Sequence, residues 1–327
     1  HEAQTPEAMA RQRRHAEANF MAAVDAVRPE ACIARVAHRR GELLALGQTE
    51  INLNQVDHLY LLGAGKASAA MAAAMEDLVG DRITAGRICV KYDHGAPLSH
   101  CTVVEAGHPV PDAPGAAAAE AILEMAAQAG PKDLVLCLIS GGGSALMTAP
   151  ADGIALEDKR EVNRQLLACG ATISEINCIR KHLSALKGGR LAAAAHPAQV
   201  VTLLISDVPG DDPAVIASGP TVADPTTRND ALALIEKYGI ELQAHVRAHL
   251  ENDGCESIKP GDPRLARAET VMIATPQASL EAAAAIAREA GVTPLILGDS
   301  LEGEARDVAK VMAGIAKQVV RHGQPLP

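Results

Sequence analysis

Three segments of this sequence combine glycines, hydroxyls, cations and carboxylates in patterns that could bind an anion. The first is Gly63-Ala-Gly65-Lys66-Ala-Ser68, which follows a short apolar run. Its glycines permit a tight turn, its lysine adds a positive charge, and a helix beginning here would present free N–H groups to a phosphate or a carboxylate. It is not a Walker A loop, and serine replaces the third glycine of a dinucleotide fingerprint. A plain turn with a solvated lysine is the alternative.

The second segment is glycine-rich and follows the uncharged apolar run 134–139. Consecutive N–H groups in such a loop form a nest for a phosphate or a carboxylate, with two serine hydroxyls as further donors. A serine nucleophile is the rival interpretation, but the G-x-S-x-G pattern fails because leucine occupies its last position. A structural turn is the third interpretation. The residues are Ser140, Gly141, Gly142, Gly143 and Ser144.

Carboxylates follow a third apolar run, in the segment 206–212. Asp207 at the end of a strand could hold Mg²⁺ or accept the proton of a hydroxyl group. Turn formation explains Asp211 and Asp212 well enough, because aspartate is a common turn residue. For Asp207 the functional and the structural interpretations both stay open.

A basic segment lies between the last two. Arg180, Ser184 and Lys187 would share one face of a helix that runs through them, and Arg190 follows a pair of glycines. In an acidic chain such a cluster favours a phosphate or carboxylate ligand, although a solvated basic face is the alternative. His108, in a stiff proline-containing segment, could position a substrate or be structural.

The elements that must position these residues alternate between strands and helices. Short apolar strands with helical crossovers predict one large α/β domain, with a mostly parallel sheet covered by helices on both faces. Ligands bind such sheets at the carboxyl ends of the strands, where these segments fall. The predicted strands are 58–62, 87–92, 101–105, 134–139, 199–205, 270–274 and 294–297. The predicted helices are 5–26, 66–79, 114–129, 156–169, 174–195, 228–237, 242–251, 278–290 and 302–321.

Composition excludes several classes of protein. The 327 residues carry a net charge of −10, with three tyrosines, one phenylalanine and no tryptophan, which argues against a nucleic-acid partner. No apolar run is long enough to span a membrane, and no signal pattern opens the chain. The seven cysteines contain no C-x-x-C pair and indicate buried thiols. We therefore expect a cytoplasmic protein that binds neither nucleic acid nor membrane.

Six motifs, in order, resemble the type II glycerate kinases. The resemblance covers nearly the whole chain and implies a Rossmann-like α/β domain, joined in that family to a smaller MOFRL domain. It also implies ATP-dependent, Mg²⁺-assisted phosphorylation of D-glycerate on its 2-hydroxyl group. The six motifs occupy residues 63–67, 107–112, 138–145, 181–190, 206–211 and 218–221.

Two departures from that family stand out. The motifs of the MOFRL domain are missing, so we expect residues 1–322 to form the Rossmann-like domain and residues 323–327 to begin a linker. The segment 275–277 replaces an asparagine-rich loop. Many relatives carry the name hydroxypyruvate reductase. This NAD(P)H-dependent function stays an alternative, because Gly63 and Gly65 follow a strand as in dinucleotide-binding proteins. A sugar-acid-binding domain without turnover is a third reading, and Ala-rich helices would permit a homodimer.

The resemblance and the residues together predict the following roles. The loop from Ser140 to Ser144, with Gly63 and Gly65, binds the phosphates of ATP. Lys66 neutralises the transferring phosphoryl group or the glycerate carboxylate, and Lys187 and Arg190 add charge compensation. Asp207 holds Mg²⁺ or orients the 2-hydroxyl group. The predicted catalytic residues are thus Lys66, Asp207 and Arg190.

Overall fold

The computed structural model describes residues 5–322, so the predicted linker at 323–327 lies outside the described residues. Within 5–322 the chain forms two sheets. Three short strands make an antiparallel sheet, and six parallel strands make the main sheet. The strands are β1 Ala37–Arg40, β2 Leu43–Leu46, β3 Thr49–Asn52, β4 Leu59–Ala64, β5 Ile83–Lys91, β6 Cys101–Ala106, β7 Leu134–Ile139, β8 Gln199–Ile205 and β9 Ala268–Ala274.

Helices cover both faces of the main sheet, which confirms the predicted α/β architecture. Alternate residues of β4 belong to two different apolar clusters, one shared with α2 and α3 and the other with α4 and α8. The helices are α1 Pro6–Ala26, α2 Pro29–Val36, α3 Ser68–Val79, α4 Ala113–Ala127, α5 Gly143–Leu146, α6 Leu156–Ala168, α7 Ile173–His182, α8 Arg190–Ala195, α9 Arg228–Tyr238, α10 Ala244–Glu251, α11 Pro276–Glu289 and α12 Ala305–His322.

The order of the strands places the binding crevice. The main sheet runs β6-β5-β4-β7-β8-β9, so its first strand lies in the middle and the chain builds outward in both directions. The reversal falls between β4 and β7, which pair in register from Leu59 with Leu134 to Ala64 with Ile139. Ligands of open parallel sheets bind at the carboxyl ends of the strands beside such a reversal. Both glycine-containing segments of the sequence begin there.

Burial explains why β7 was easy to predict. All six of its residues are buried, because the strand is central and both faces carry helices. The predicted strand at 294–297 is wrong: this segment is irregular, and its leucines Leu295 and Leu297 are exposed. Apolar residues alone did not make a strand there, since no neighbouring strand pairs with the segment within the described residues.

The predicted helix 174–195 is two helices, α7 and α8. Residues 183–189 leave the helical path, and Gly188 and Gly189 have φ values of 61° and 81°. A Cβ atom at Gly189 would lie 2.9 Å from the carbonyl oxygen of Val222. The tight turn that results brings the residues after α7 back toward the sheet.

A separate apolar cluster joins α6, α7, α9 and α10. None of its buried residues within 5–322 belongs to a strand of the main sheet, so it forms a helical layer of its own. The buried stripe of α6 includes Val162 and Leu166, and that of α7 includes Ile176 and Ile179. This layer fixes the side chains that these two helices direct toward the glycine-rich loop.

Candidate functional site

The two glycine-containing loops at the sheet reversal are bonded to each other. The Lys66 amide donates to the carbonyl of Gly141 at 2.9 Å, and the Ala67 amide donates to the Ser140 hydroxyl at 3.0 Å. All four amides of residues 65–68 have acceptors within the protein. The prediction that this turn offers its amides to an anion is therefore wrong for these four groups, which hold the second loop in place instead.

The second loop retains free donors. Within residues 5–322, the amides of Gly141, Gly142 and Ser144 have no protein acceptor, whereas the Gly143 amide donates to the Ser140 carbonyl at 3.2 Å. Successive backbone N–H groups of this kind attract phosphate or carboxylate oxygens. The loop after β7 therefore has free amide groups that could bind an anion, and its binding of an anion stays a prediction.

Lys66 and Asp207 lie on either side of this loop. The Lys66 ammonium is 3.8 Å from Oδ2 of Asp207, and their side chains are 43% and 47% exposed. Such an exposed pair contributes little to stability, so both groups are available to a ligand. A Cβ atom at Gly141 would lie 1.9 Å from Asp207 Oδ2, so only glycine fits between the loop and this carboxylate.

A cavity of about 250 Å³ opens beside the loop. It is lined by backbone and side chains from both halves of the chain, and Asp207 is its only carboxylate among the described residues. The polar lining residues include His108, Ser144, Lys159, Asn163, Asn177, Arg180, Lys187 and Asp207. The structure therefore brings together the second loop, Asp207, His108 and part of the basic segment.

Three cations line the inner part of this cavity. Lys187 is 2% exposed and donates through Nζ to the carbonyl of Ser144. Arg180 donates to the amide oxygen of Asn163, through Nε at 2.8 Å. Lys159 is 8% exposed, and its Nζ has no hydrogen-bond partner in the part of the chain described.

No carboxylate neutralises these cations. Among the described residues, none of Lys159, Arg180 and Lys187 has an acidic oxygen within 4.0 Å. Burial and the neighbouring guanidinium of Arg180 lower the pKa of Lys159 to about 7. Burial also lowers the pKa of Arg180 to about 10 and holds that of Lys187 well below its usual range. Uncompensated buried charge of one sign favours an anionic ligand.

Lys159 and Asn163 were not predicted from the sequence. A lysine in a helix is normally solvated, and nothing nearby resembled a ligand motif. The sequence did contain one indication of this burial, the spacing of residues along α6. The buried face of this helix includes Lys159, Val162 and Leu166, which follow one another at spacings of three and four. A cation within such an apolar stripe indicates a buried charge.

Two predicted residues lie away from the cavity. Arg190 donates to the carbonyls of Lys181, Lys187 and Cys255, so its guanidinium fixes the turn between α7 and α8. Its predicted catalytic role has no counterpart in this geometry. Ser184 accepts the Lys187 amide at 3.2 Å and is likewise structural.

Gly63 and Gly65 also have packing roles. A Cβ atom at Gly63 would lie 2.6 Å from the carbonyl oxygen of Leu138, and one at Gly65 would lie 2.1 Å from the Ser140 hydroxyl. These glycines let β4 and its turn approach β7 and the second loop. The two glycines would therefore act on phosphates only indirectly, by supporting the loop that was predicted to bind them.

His108 lies at the mouth of the cavity. A Cβ atom at Gly142 would be 3.2 Å both from its Nε2 atom and from the Cε atom of Lys66, which places the two side chains side by side. Burial, then the charge of Lys66, lowers the pKa of His108 below its usual value. The ring is therefore neutral at pH 7 and can accept or donate a hydrogen bond.

A buried polar chain supports the back of the loop. The Ser144 hydroxyl is 2.9 Å from that of Ser218, which donates to the Asn177 amide oxygen at 2.9 Å. Ala217 and Ser218 have φ values of 52° and 61°, a left-handed conformation that side chains disfavour. Strained backbone of this kind persists only where the surrounding structure holds it, and it is common at functional sites.

No group of three or more histidine, cysteine, aspartate or glutamate residues that could hold a metal ion occurs within 5–322. Across the same residues, helices both long and apolar enough to cross a membrane are absent.

Comparison with known proteins adds the following findings. The family described as "Domain of unknown function (DUF4147)" matches residues 15–251. A putative hydroxypyruvate reductase of Agrobacterium vitis is 54% identical over 266 residues, 81% of this chain and 60% of that protein. The D-glycerate 2-kinase of Thermotoga maritima is 39% identical over 86% of this chain and 66% of its own length. A crystal structure of glycerate kinase from Thermotoga maritima superposes with a TM-score of 0.80 at 35% identity, over 98% of this chain and 72% of that one. The chain thus spans about 60% of the first of these relatives.

Proposed function

Because this chain belongs to the DUF4147 family and to the glycerate 2-kinases within it, we propose that it carries the site of an ATP-dependent kinase. The reaction is transfer of the γ-phosphoryl group of ATP to the 2-hydroxyl group of D-glycerate. The observation that carries the proposal is the pair Lys66 and Asp207, 3.8 Å apart across a loop with three unused amide donors. Phosphoryl transfer needs positioning and charge neutralisation, and this arrangement supplies both.

Each part has a role in the transfer. The amides of Gly141, Gly142 and Ser144 hold phosphate oxygens of ATP, and Lys66 neutralises charge on the phosphoryl group in transit. The glycerate hydroxyl oxygen forms the new bond to the γ-phosphorus, while the bond from that phosphorus to the β,γ-bridging oxygen breaks. Asp207 accepts the hydroxyl proton, and ADP leaves with the electron pair of the broken bond.

As the alternative to accepting the proton, Asp207 is the residue that would hold Mg²⁺. A single carboxylate fits this ion, because Mg²⁺ is commonly bound by one or two carboxylates together with substrate phosphates and waters. When bound, Mg²⁺ would neutralise phosphate charge. The loop amides and Lys66 neutralise the remaining phosphate oxygens.

The reductase named among the relatives needs a nicotinamide dinucleotide. The pyrophosphate of that cofactor would bind free amides at the start of the helix that follows the first parallel strand. A third glycine would let this helix pack closely against the strand. Here the amides of residues 65–68 are already bonded. Ser68 replaces the third glycine, and its buried hydroxyl donates to the Leu138 carbonyl at 2.9 Å. These contacts weigh against hydride transfer and support the kinase.

Two assays on the protein as its gene encodes it separate these activities. One follows ADP release with Mg-ATP and D-glycerate, and the other follows NADH loss with hydroxypyruvate. We expect ADP release that depends on D-glycerate and no NADH loss. NADH loss without glycerate-dependent ADP release would reject the kinase in favour of the reductase.

A further inference from the structure

The ammonium of Lys159 is an unexplained charge at the inner end of the cavity. Its side chain is buried on α6, and its Nζ atom has no partner within residues 5–322. A charge without a partner is costly to bury, so a lysine kept there solely for stability would be expected to have an acceptor. Lys159 is at the same time one of the residues that line the cavity.

Two neighbouring basic side chains add to the positive charge around Lys159. Arg180 and Lys187 line the same cavity, and neither has a carboxylate within 4.0 Å in the described chain. Asn163 faces Arg180 through its amide oxygen and carries no charge. Asp207, the only acid of the lining among residues 5–322, is paired with Lys66 at the mouth. The inner end of the cavity therefore has an excess of basic groups, whereas at its mouth the charge of Lys66 is balanced by that of Asp207.

The size of the cavity limits what can enter. At about 250 Å³ it is smaller than the roughly 300–1,000 Å³ typical of pockets that enclose drug-sized ligands. It has room for a three-carbon acid, whereas a nucleoside triphosphate would extend beyond it. The nucleotide must then lie outside, with its phosphates on the loop at the mouth.

Resting on the proposed function, we propose that Lys159, with Arg180 and Lys187, binds the carboxylate of the acceptor substrate at the inner end of this cavity. Held by its carboxylate, a 2-hydroxy acid presents its hydroxyl group toward the mouth, where Lys66 and Asp207 lie. Lys159 is thus a specificity-determining residue: it selects an acid over the corresponding polyol.

The test is calorimetric titration of the protein as its gene encodes it with D-glycerate, with glycerol as the uncharged analogue and with inorganic phosphate, in the absence of nucleotide. The variant Lys159→Met removes the charge and keeps the shape of the side chain. Lys132 is an exposed lysine just before β7, at the opposite end of this strand from the glycine-rich loop. Lys132→Met is therefore the matched control. Thermal unfolding of all three proteins is measured in parallel.

We expect the wild type and Lys132→Met to bind D-glycerate and not glycerol. Lys159→Met should bind D-glycerate at least about tenfold more weakly and yet unfold at a higher temperature, because an unpartnered buried charge is gone. Asn163→Asp provides a second variant: it sets a carboxylate beside Arg180 and should also abolish binding while keeping the fold.

Three results would overturn this inference: no binding of D-glycerate by the wild type, unchanged affinity in Lys159→Met, or Lys159-dependent binding of phosphate that is tighter than that of D-glycerate. The titration uses no ATP, so its outcome is separate from that of the kinase assays. If the protein as its gene encodes it binds D-glycerate through Lys159 but transfers no phosphoryl group, the kinase is refuted and the carboxylate site stands.

Discussion

The ammonium of Lys66 lies 3.8 Å from the carboxylate of Asp207, although the two residues follow different strands of the sheet, β4 and β8. Only β7 separates these strands, and its loop passes between the two side chains. Gly141 makes the approach possible, because any Cβ atom there would collide with the carboxylate. The ammonium, the free amides of the loop and the carboxylate thus lie close together at the carboxyl ends of the strands.

Removing the cation should abolish turnover. We expect Lys66→Met to lower kcat/KM by about 10³–10⁵-fold, the range that charge clamps contribute in comparable phosphoryl-transfer sites. Steady-state kinetics with Mg-ATP and D-glycerate measure the effect, and Lys132→Met is the control for the loss of one positive charge. Turnover of Lys66→Met at the wild-type rate would contradict the role of Lys66.

Removing the carboxylate should change both rate and metal dependence. Asp207→Asn keeps the size of the side chain but can neither accept a proton nor balance Mg²⁺ charge. We expect kcat to fall by about 10²–10⁴-fold, the usual contribution of a general base. The concentration of Mg²⁺ needed for half-maximal rate should rise. An unchanged rate and an unchanged Mg²⁺ requirement would remove Asp207 from the mechanism.

A single methyl group should disrupt the loop. In Gly141→Ala the new Cβ atom would lie 1.9 Å from Asp207 Oδ2, so the loop or the carboxylate must move. We expect activity to fall at least about tenfold, since small displacements of reacting groups are costly. Gly130→Ala is the control, because its Cβ atom would have an ordinary contact at 3.6 Å. Equal activities of the two variants would contradict the close packing described.

Binding of D-glycerate should weaken as pH rises above about 7. The pKa of Lys159 is lowered to about 7, so the ammonium that attracts a carboxylate is lost above that pH. Lys187, whose pKa is also lowered, acts in the same direction, while Arg180 stays charged and Asp207 is paired at the mouth. We expect the affinity to fall by up to about tenfold per pH unit. Calorimetry between pH 6.5 and roughly pH 9 checks this slope, and Lys159→Met should flatten it.

Arg190 should matter for stability. Its guanidinium donates to three backbone carbonyls around the turn that presents Lys187. We expect Arg190→Met to lower the free energy of unfolding by about 1.5–3 kcal/mol, the range for hydrogen bonds to charged groups. Denaturant titration measures it. A variant of wild-type stability would show that these bonds are not needed to hold the turn.

The main sheet could be predicted because its central strands are apolar throughout. Leu134–Ile139 is buried on both faces, and the predicted boundaries match the strand. The sheet at residues 37–52 went unpredicted, because its four-residue strands are partly exposed and carry polar residues. The strand order and its reversal between β4 and β7 arise from long-range pairing, which the sequence pattern does not encode locally.

The mouth of the site was easier to predict than its inner end. Lys66, Asp207 and the loop from Ser140 stand at strand ends, where glycine and charge are conspicuous in the sequence. Lys159 reaches the cavity because α6 packs on α7, so its role depends on the burial of a whole helix face. Arg190 was predicted from its charge, but the turn between α7 and α8 directs it to backbone carbonyls instead.

Phosphorus NMR on the protein as its gene encodes it, supplied with Mg-ATP and D-glycerate, tests the central claim most directly. The account predicts a 2-phosphoglycerate signal that grows as ATP is converted to ADP, and that is absent when Lys66→Met replaces the wild type. Formation of no phosphoglycerate, together with oxidation of NADH by hydroxypyruvate, would contradict it.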